Sequence, residues 1–360
     1  MTTIQQKFPG VHWIWGGGIS FVYEVHPSIV VKVPESGEEE RDQFKKELKV
    51  YEILSQQPPC PFIVQCFYYT DNGIFLEYMR DVSLSYRIQC NHTRNQETFI
   101  VTKVEKLEPL ILRKEWMNNL AQAVAFLESL NLAHGDLRPE NILLDRDRLK
   151  LSDFDNTAEL GTDFETCTAP YGRILNADEA DQGPPGSSGC LGPRTEQFAL
   201  GSIFYLINYG FEVYGNQSLG DNPRDHGPKV VDLLQNKQFP NLDGDSMIDN
   251  IISKCWHNKY ATVAELATEM KTVVPERDTA SNTDNETTSV NEAAIQALTS
   301  GGDTDDRDTS CSADEFLSKK AFCEDLKKRG LLHMLSSEKP EQLGFTLEWY
   351  RYQKQELDSK

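Results

Sequence analysis

The chain has 360 residues, 39% of them hydrophobic and 26% charged, with a formal net charge of −20. That length makes two domains or lobes the starting expectation and supplies enough apolar material for a sizeable core. The acidic balance argues against nucleic acid and anionic membrane surfaces as partners, because both are gripped by basic patches. The eight cysteines are scattered, with no C-x-x-C pair and no His/Cys cluster at zinc spacing, so reduced thiols are expected. The beginning, M-T-T-I-Q-Q-K-F-P-G, has no apolar stretch of signal-peptide length, and no run is long enough to span a bilayer. A soluble intracellular protein, cytoplasmic or nuclear, is the expectation.

Residues 13–33, W-I-W-G-G-G-I-S-F-V-Y-E-V-H-P-S-I-V-V-K-V, contain two β-rich runs around a His26-Pro27-Ser28 turn, with a glycine cluster heading the first. Glycines there let the backbone approach a phosphate chain closely and offer it N–H donors. Lys32 lies inside the apolar run Ile29-Val30-Val31-Lys32-Val33, where a desolvated ammonium requires an ionic partner. Residues 40–54 carry Phe44, Leu48, Tyr51 and Leu54 at helical spacing. Glu47, beside that stripe and facing partly inward, is the natural carboxylate for Lys32, with Glu40 as a rival. Residues 61–79 read as two strands, P-F-I-V-Q-C-F-Y-Y and G-I-F-L-E-Y-M, separated by Thr70-Asp71-Asn72-Gly73. The polar stretch 84–112, broken by β-like Thr98-Phe99-Ile100-Val101, reads as an insertion. An amphipathic helix follows over 113–132, with Trp116, Leu120, Ala123, Val124 and Leu127 turned inward.

Residues 134–155 read H-G-D-L-R-P-E-N-I-L-L-D-R-D-R-L-K-L-S-D-F-D. Ile142-Leu143-Leu144 and Leu149-Lys150-Leu151 flank a polar turn, which is the pattern of a hairpin. A hairpin brings its ends together, so Asp136 and Asn141 are expected near Asp153. Two oxygen ligands and a carboxylate base or positioner meet the needs of Mg²⁺-assisted phosphoryl transfer.

This stretch resembles the catalytic loop and D-F-G segment of protein kinases, H-R-D-L-K-P-E-N followed by D-F-G. Gly135 stands where those enzymes usually have Arg, and Asp155 where they have Gly. Both departures also resemble small-molecule kinases of the same fold, such as aminoglycoside and choline kinases. The resemblance runs in order over about residues 14–275. It implies an α+β, bilobal protein-kinase-like fold, with a small β-rich N-lobe over 1–80 and a larger, mainly helical C-lobe over 81–275. The arrangement as a whole is similar to kinase-like proteins of filamentous fungi.

The resemblance also implies roles. Asp136 would orient or deprotonate the acceptor hydroxyl, with Arg138 in the catalytic set. Asn141 and Asp153 would hold Mg²⁺, and Lys32, fixed by Glu47, would position the phosphates of ATP. Val30 would lie against the adenine, Leu76 would gate the back pocket, and the backbone from Glu77 to Met79 would meet the adenine edge. Gly16 and Gly18 fit G-x-G-x-x-G, but Phe21 occupies the third glycine's place unless the loop is one residue shorter. A protein substrate with a serine or threonine hydroxyl is implied by Leu137-Arg138-Pro139-Glu140-Asn141, and the sequence identifies neither that substrate nor a regulatory partner. Without an arginine at 135, phosphorylation of the following loop should not switch activity on.

After Asp155 an irregular segment reaches about Pro193. It has no clear A-P-E: Ala169-Pro170-Tyr171 is a poor substitute, and residues 254–260 lack the arginine that would pair with such a glutamate. Residues 195–210 resemble the helix at the floor of the kinase C-lobe, with Glu196 for its aspartate, and a further helix is expected at 261–274. Residues 276–312, rich in Thr, Ser, Asp, Asn and Gly, read as a disordered acidic linker. The remainder, 313–360, regains periodicity and reads as short helices docking on the body or on a partner. Two alternatives stay open: a pseudokinase scaffold, suggested by Asp155 and the reduced glycine loop, and a small-molecule phosphotransferase, suggested by H-G-D and D-F-D.

Overall fold

The computed structural model describes residues 3–81, 83–165, 168–274 and 312–348. A short helix α1 (Thr3–Lys7) leads into β1 (His12–Gly16), β2 (Ser20–His26) and β3 (Ile29–Pro34), so the glycine cluster separates two strands and the expected pair of runs is three strands. Helix α2 (Glu38–Ser55) follows, then β4 (Cys66–Thr70) and β5 (Gly73–Glu77). Residues 61–65, expected to be strand, lie outside β4. The five strands form one antiparallel sheet in the order β1-β2-β3-β5-β4.

This sheet buries both faces. Along β3, Val30 belongs to the core shared with α2, whereas Ile29, Val31 and Val33 belong to a second core on the opposite side. The alternation repeats in β5, where Ile74 and Leu76 face the first core and Phe75 the second. The second core is closed by Ile4 and Phe8 near the start of the chain and by Leu326, Leu331, Leu332 and Leu335 near its other end. Continuous apolar runs in β3 and β5 are therefore the sequence signature of a doubly covered sheet.

Helix α3 (Leu84–Gln89) begins the larger lobe, and β6 (His92–Arg94) pairs with β7 (Val101–Val104). Thr98-Phe99-Ile100, expected to be β-like, lies in the connecting turn, with Phe99 at φ +59° and exposed to solvent. Helix α4 (Leu110–Ser129) starts earlier than its apolar stripe suggested, and all five expected inward residues are buried. Short β8 (Leu132–Ala133) precedes the hairpin of β9 (Ile142–Asp145) and β10 (Arg148–Leu151), and β11 (Ala158–Glu159) pairs back onto β8. Helix α5 (Pro193–Tyr209) forms the floor, followed by α6 (His226–Gln235), α7 (Ser246–Trp256) and α8 (Val263–Val273).

The linker expected at 276–312 lies outside the described residues except for Ser312, whose hydroxyl caps α9 (Ala313–Lys328). Helix α9 packs on β4 and is followed by α10 (Leu331–Leu335). The chain then returns to the sheet edge, where Glu348 N–H donates to the Trp13 carbonyl of β1 at 2.8 Å. Among the described residues no helix is long and apolar enough to cross a membrane.

Candidate active site

The site forms where β3, α2 and the β9–β10 hairpin meet. On β3, Val30 and Lys32 share a face because side chains alternate, and Val30 stands opposite Leu76 of β5. Lys32 is 8% exposed, and its ammonium lies 2.7 Å from Glu47 Oε2 and 2.6 Å from Asp153 Oδ1. Glu47, expected to face partly inward, is fully buried. Burial opposes the lysine's charge, but Asp153 and Glu47 outweigh it and hold the ammonium protonated, with its pKa raised.

One ammonium serves two carboxylates unequally. Burial pushes Glu47 up to about 7, while Lys32 outweighs burial at Asp153 and holds it below the usual range. Asp153 also adopts φ +65°, a left-handed conformation that is unfavourable for non-glycine residues by about 1 kcal/mol. Sparsely populated backbone of this kind persists where surrounding contacts hold it. Phe154 supplies such contacts, lying edge-on to Tyr51 of α2 and to His134, with ring centroids 5.4 Å apart in each case.

Asp136 and Asn141 form the second half of the site. Asn141 Nδ2 donates to Asp136 Oδ2 and to the Asp136 carbonyl, both at 2.9 Å, which leaves the Asn141 side-chain oxygen outside these two bonds. Arg138 Nε lies 3.3 Å from Asp136 Oδ2. Burial pushes Asp136 up to about 6, against the pull of Arg138 and Asn141. Asp155 is likewise pushed up by burial and by Asp153.

The loop carrying Asp136 hangs from α5. Glu196 accepts the backbone N–H groups of His134 at 2.8 Å and Gly135 at 3.4 Å, so the residue at the expected floor-helix position fixes the loop above it. Gly135 has φ +76°, and a Cβ there would overlap the Asn156 carbonyl oxygen. Glycine is therefore required by this backbone at the position where an arginine had been the comparison.

The expected glycine loop is short. Gly16 pairs with Phe21, and Gly17 N–H closes the turn on the Ser20 carbonyl at 2.9 Å. Because Val22 stands opposite Lys32, the turn lies a few residues beyond the lysine at the same end of the sheet. Gly18 is in that turn, and an added Cβ would meet nothing within 4 Å. Leu76 and Met79 are buried at the opposite end. The Glu77 side chain turns away to Lys150 Nζ at 2.5 Å and Arg148 Nη1 at 3.4 Å.

Among the ion pairs that escaped the sequence reading, two are well shielded from solvent and lie near the site or in the segment that follows it. One is this Glu77 group, and the other joins Arg173 to Glu179 within the irregular segment after Asp155. Arg173 grips Glu179 through two bonds of 2.7 and 2.5 Å, with Lys237 3.2 Å away, and both side chains of the bidentate pair are buried. Periodicity could not reveal that pair, although two opposite charges six residues apart in a low-charge stretch were a weak signal.

Among the described residues no three His, Cys, Asp or Glu side chains are placed to hold a metal by themselves. Asn141 and an ionised Asp153 offer oxygen only, which suits a hard divalent cation that draws its remaining ligands from phosphate and water.

The family model described as "Protein kinase domain" matches residues 24–299. Similar curated proteins include CBL-interacting serine/threonine-protein kinase 20 of Arabidopsis thaliana, 25% identical over 236 residues, 61% of this chain and 49% of that protein. MAP kinase-activated protein kinase 2 of Homo sapiens is 28% identical over 147 residues, 38% of this chain and 34% of that protein. Dual specificity protein kinase Ttk of Danio rerio is 26% identical over 263 residues, 66% of this chain and 24% of that protein. The chain thus spans half or less of the length of these relatives.

Proposed function

Because this chain belongs to the protein kinase family, we propose that it transfers the γ-phosphoryl group of ATP, with Mg²⁺, to a serine or threonine hydroxyl of a protein. The observation that carries this reading is Lys32, held between Glu47 and Asp153 while Asn141 is tied to Asp136. Lys32 binds the α- and β-phosphates, and Glu47 keeps its ammonium aimed. The acceptor hydroxyl donates to the Asp136 carboxylate, which holds it in line and takes its proton as the new P–O bond forms and the bond from the γ-phosphorus to the bridging oxygen breaks, releasing ADP. Arg138, beside Asp136, faces the transferred phosphoryl group. Asn141 and Asp153 hold the metal, which when bound neutralises phosphate charge. Val30, Leu76 and the backbone of Glu77 to Met79 enclose the adenine, and Gly16 and Gly18 cover the phosphates. Support for the hydroxyl class comes from the Arg138-Pro139-Glu140-Asn141 sequence and from the serine/threonine-protein kinase among the relatives.

The test pairs thermal unfolding with a transfer assay. A Tm rise with ATP and Mg²⁺ that Asp153→Ala loses is expected, since only the native state binds nucleotide. Phosphate incorporation into serine or threonine of protein acceptors should vanish in Asp136→Asn, and phosphatase-treated protein should be as active as untreated protein because Gly135 offers no phosphate-gripping arginine. A second reading rests on Asp155, which places a further carboxylate next to Asp153 where the family has glycine. On that reading the protein is a pseudokinase module, and nucleotide binding would be seen without transfer to any acceptor.

A further inference from the structure

Charges between the two lobes, shielded at Glu77 and Lys150 and more exposed at Arg148 and Arg80, form a connected group that the proposed chemistry does not use. Glu77, at the end of β5, accepts Lys150 Nζ at 2.5 Å and has Arg148 Nη1 at 3.4 Å, while Gln65 N–H approaches the same carboxylate at 3.4 Å. Arg148 also pairs with Asp145 at 2.7 Å, and Asp145 with Arg80 Nε at 3.3 Å. Glu77 and Lys150 side chains are 13% and 11% exposed, so this pair is well shielded from solvent. Lys150 alternates with the core residues Leu149 and Leu151 and so faces the other side of the hairpin, yet it is itself buried, which requires an ionic partner.

The location gives the pair its consequence. Glu77 begins the connection between the lobes, where the proposed reading places the adenine edge. Lys150 lies three residues before Asp153, on the hairpin whose other strand starts directly after Asn141. Backbone bonds already tie the segment before β4 to the same hairpin: Leu151 N–H donates to Phe62 O and Val64 N–H to Leu151 O, each at 2.9 Å. Further along the connection, Asp81 N–H donates to the Leu144 carbonyl of β9 at 2.9 Å, so backbone bonds hold the hairpin on either side of Glu77 to Met79. Between those anchors the Glu77–Lys150 pair is a side-chain tie from the start of the connection to β10.

We propose that Lys150 is a positioning residue for the nucleotide: its ion pair with Glu77 sets the adenine-binding backbone at a fixed offset from the metal-holding Asn141 and Asp153. This rests on the nucleotide-site reading above. If the offset is fixed from both ends, ATP is gripped at its base and phosphates together. If it is loosened, one end is aligned at the expense of the other.

The test titrates ATP with Mg²⁺ against the full chain and its Lys150→Met, Lys150→Arg and Glu77→Lys/Lys150→Glu variants. Affinity is read from the nucleotide-dependent Tm rise, and KM and kcat where turnover is measurable. Lys150→Met should weaken ATP roughly tenfold with KM moving more than kcat, while Lys150→Arg and the swapped pair restore affinity to within about threefold. Lys150→Met that lowers Tm without nucleotide but binds ATP as the wild type does would show a merely structural pair and overturn the proposal. Wild type without any nucleotide effect would instead overturn the underlying nucleotide-site reading, a result distinguishable from equal binding by the two proteins.

Discussion

His134 illustrates how tightly single residues are committed. Its Nε2 meets the Ser152 carbonyl at 3.0 Å and its Nδ1 accepts the Asp136 N–H at 3.3 Å, which only the neutral Nε2–H tautomer satisfies. Burial pushes its pKa down to about 4 from an ordinary 6.5. An unfolded histidine protonates first as pH falls, so the stability from this residue is complete above about 6.5 and is lost as pH falls towards 4, by about 3 kcal/mol. The Tm of the wild type should therefore drop more steeply over that interval than the Tm of His134→Gln, and assignment of an imidazole titrating near 6.5 to His134 in NMR spectra of the folded protein would refute it. Lys32 and Glu47 were legible from sequence because an ammonium in an apolar strand demands a carboxylate. That Asp153 shares the ammonium was not, since the two are 121 residues apart.

At the scale of elements, the segment after Asp155 is where sequence reading stopped. It has little periodicity, and the expectation of a missing glutamate–arginine pair looked only to residues far along the chain. The segment contains its own pair, Arg173 with Glu179, both buried. Removing one partner leaves a charge in low dielectric, so Arg173→Met should destabilise by about 2 kcal/mol, less than a fully isolated buried pair because Lys237 remains beside Glu179. Chemical denaturation measures this, and a change below ~0.5 kcal/mol would show that the segment does not depend on the pair. Helices α2 and α4 were legible within a few residues because each has an apolar stripe buried on one side, whereas α5, buried on all sides from Thr195 to Ile207, was legible through its resemblance to the floor helix of kinases. Strand limits were less so: Thr98-Phe99-Ile100 has β-forming side chains, yet the turn between β6 and β7 takes them.

For the whole molecule, the residues after Ser312 complete the small lobe. Without α9 and α10 the sheet would expose Val31, Val33, Phe67 and Phe75, and its β1 edge would lose the bond from Glu348. A charge buried against that face is strongly unfavourable, so Leu332→Asp should lower stability by about 3 kcal/mol or more and reduce soluble yield. Differential scanning fluorimetry against Leu317→Asp, at an exposed position on α9, provides the comparison, and equal Tm values would mean that the tail does not support the sheet.

The sequence by itself pointed to Lys32, Asp136, Asn141 and Asp153 as the groups proposed to handle phosphate and metal, because they lie in short ordered motifs whose chemistry is local. It also determined α2 and α4, whose periodicity records a single buried face. Only the tertiary structure decided that Lys32 is shared by Glu47 and Asp153, that Gly135 is enforced by the Asn156 carbonyl, and that the end of the chain roofs the sheet on its second side. Those facts depend on contacts between residues distant along the chain. A sequence pattern records that a face is buried, but not what buries it.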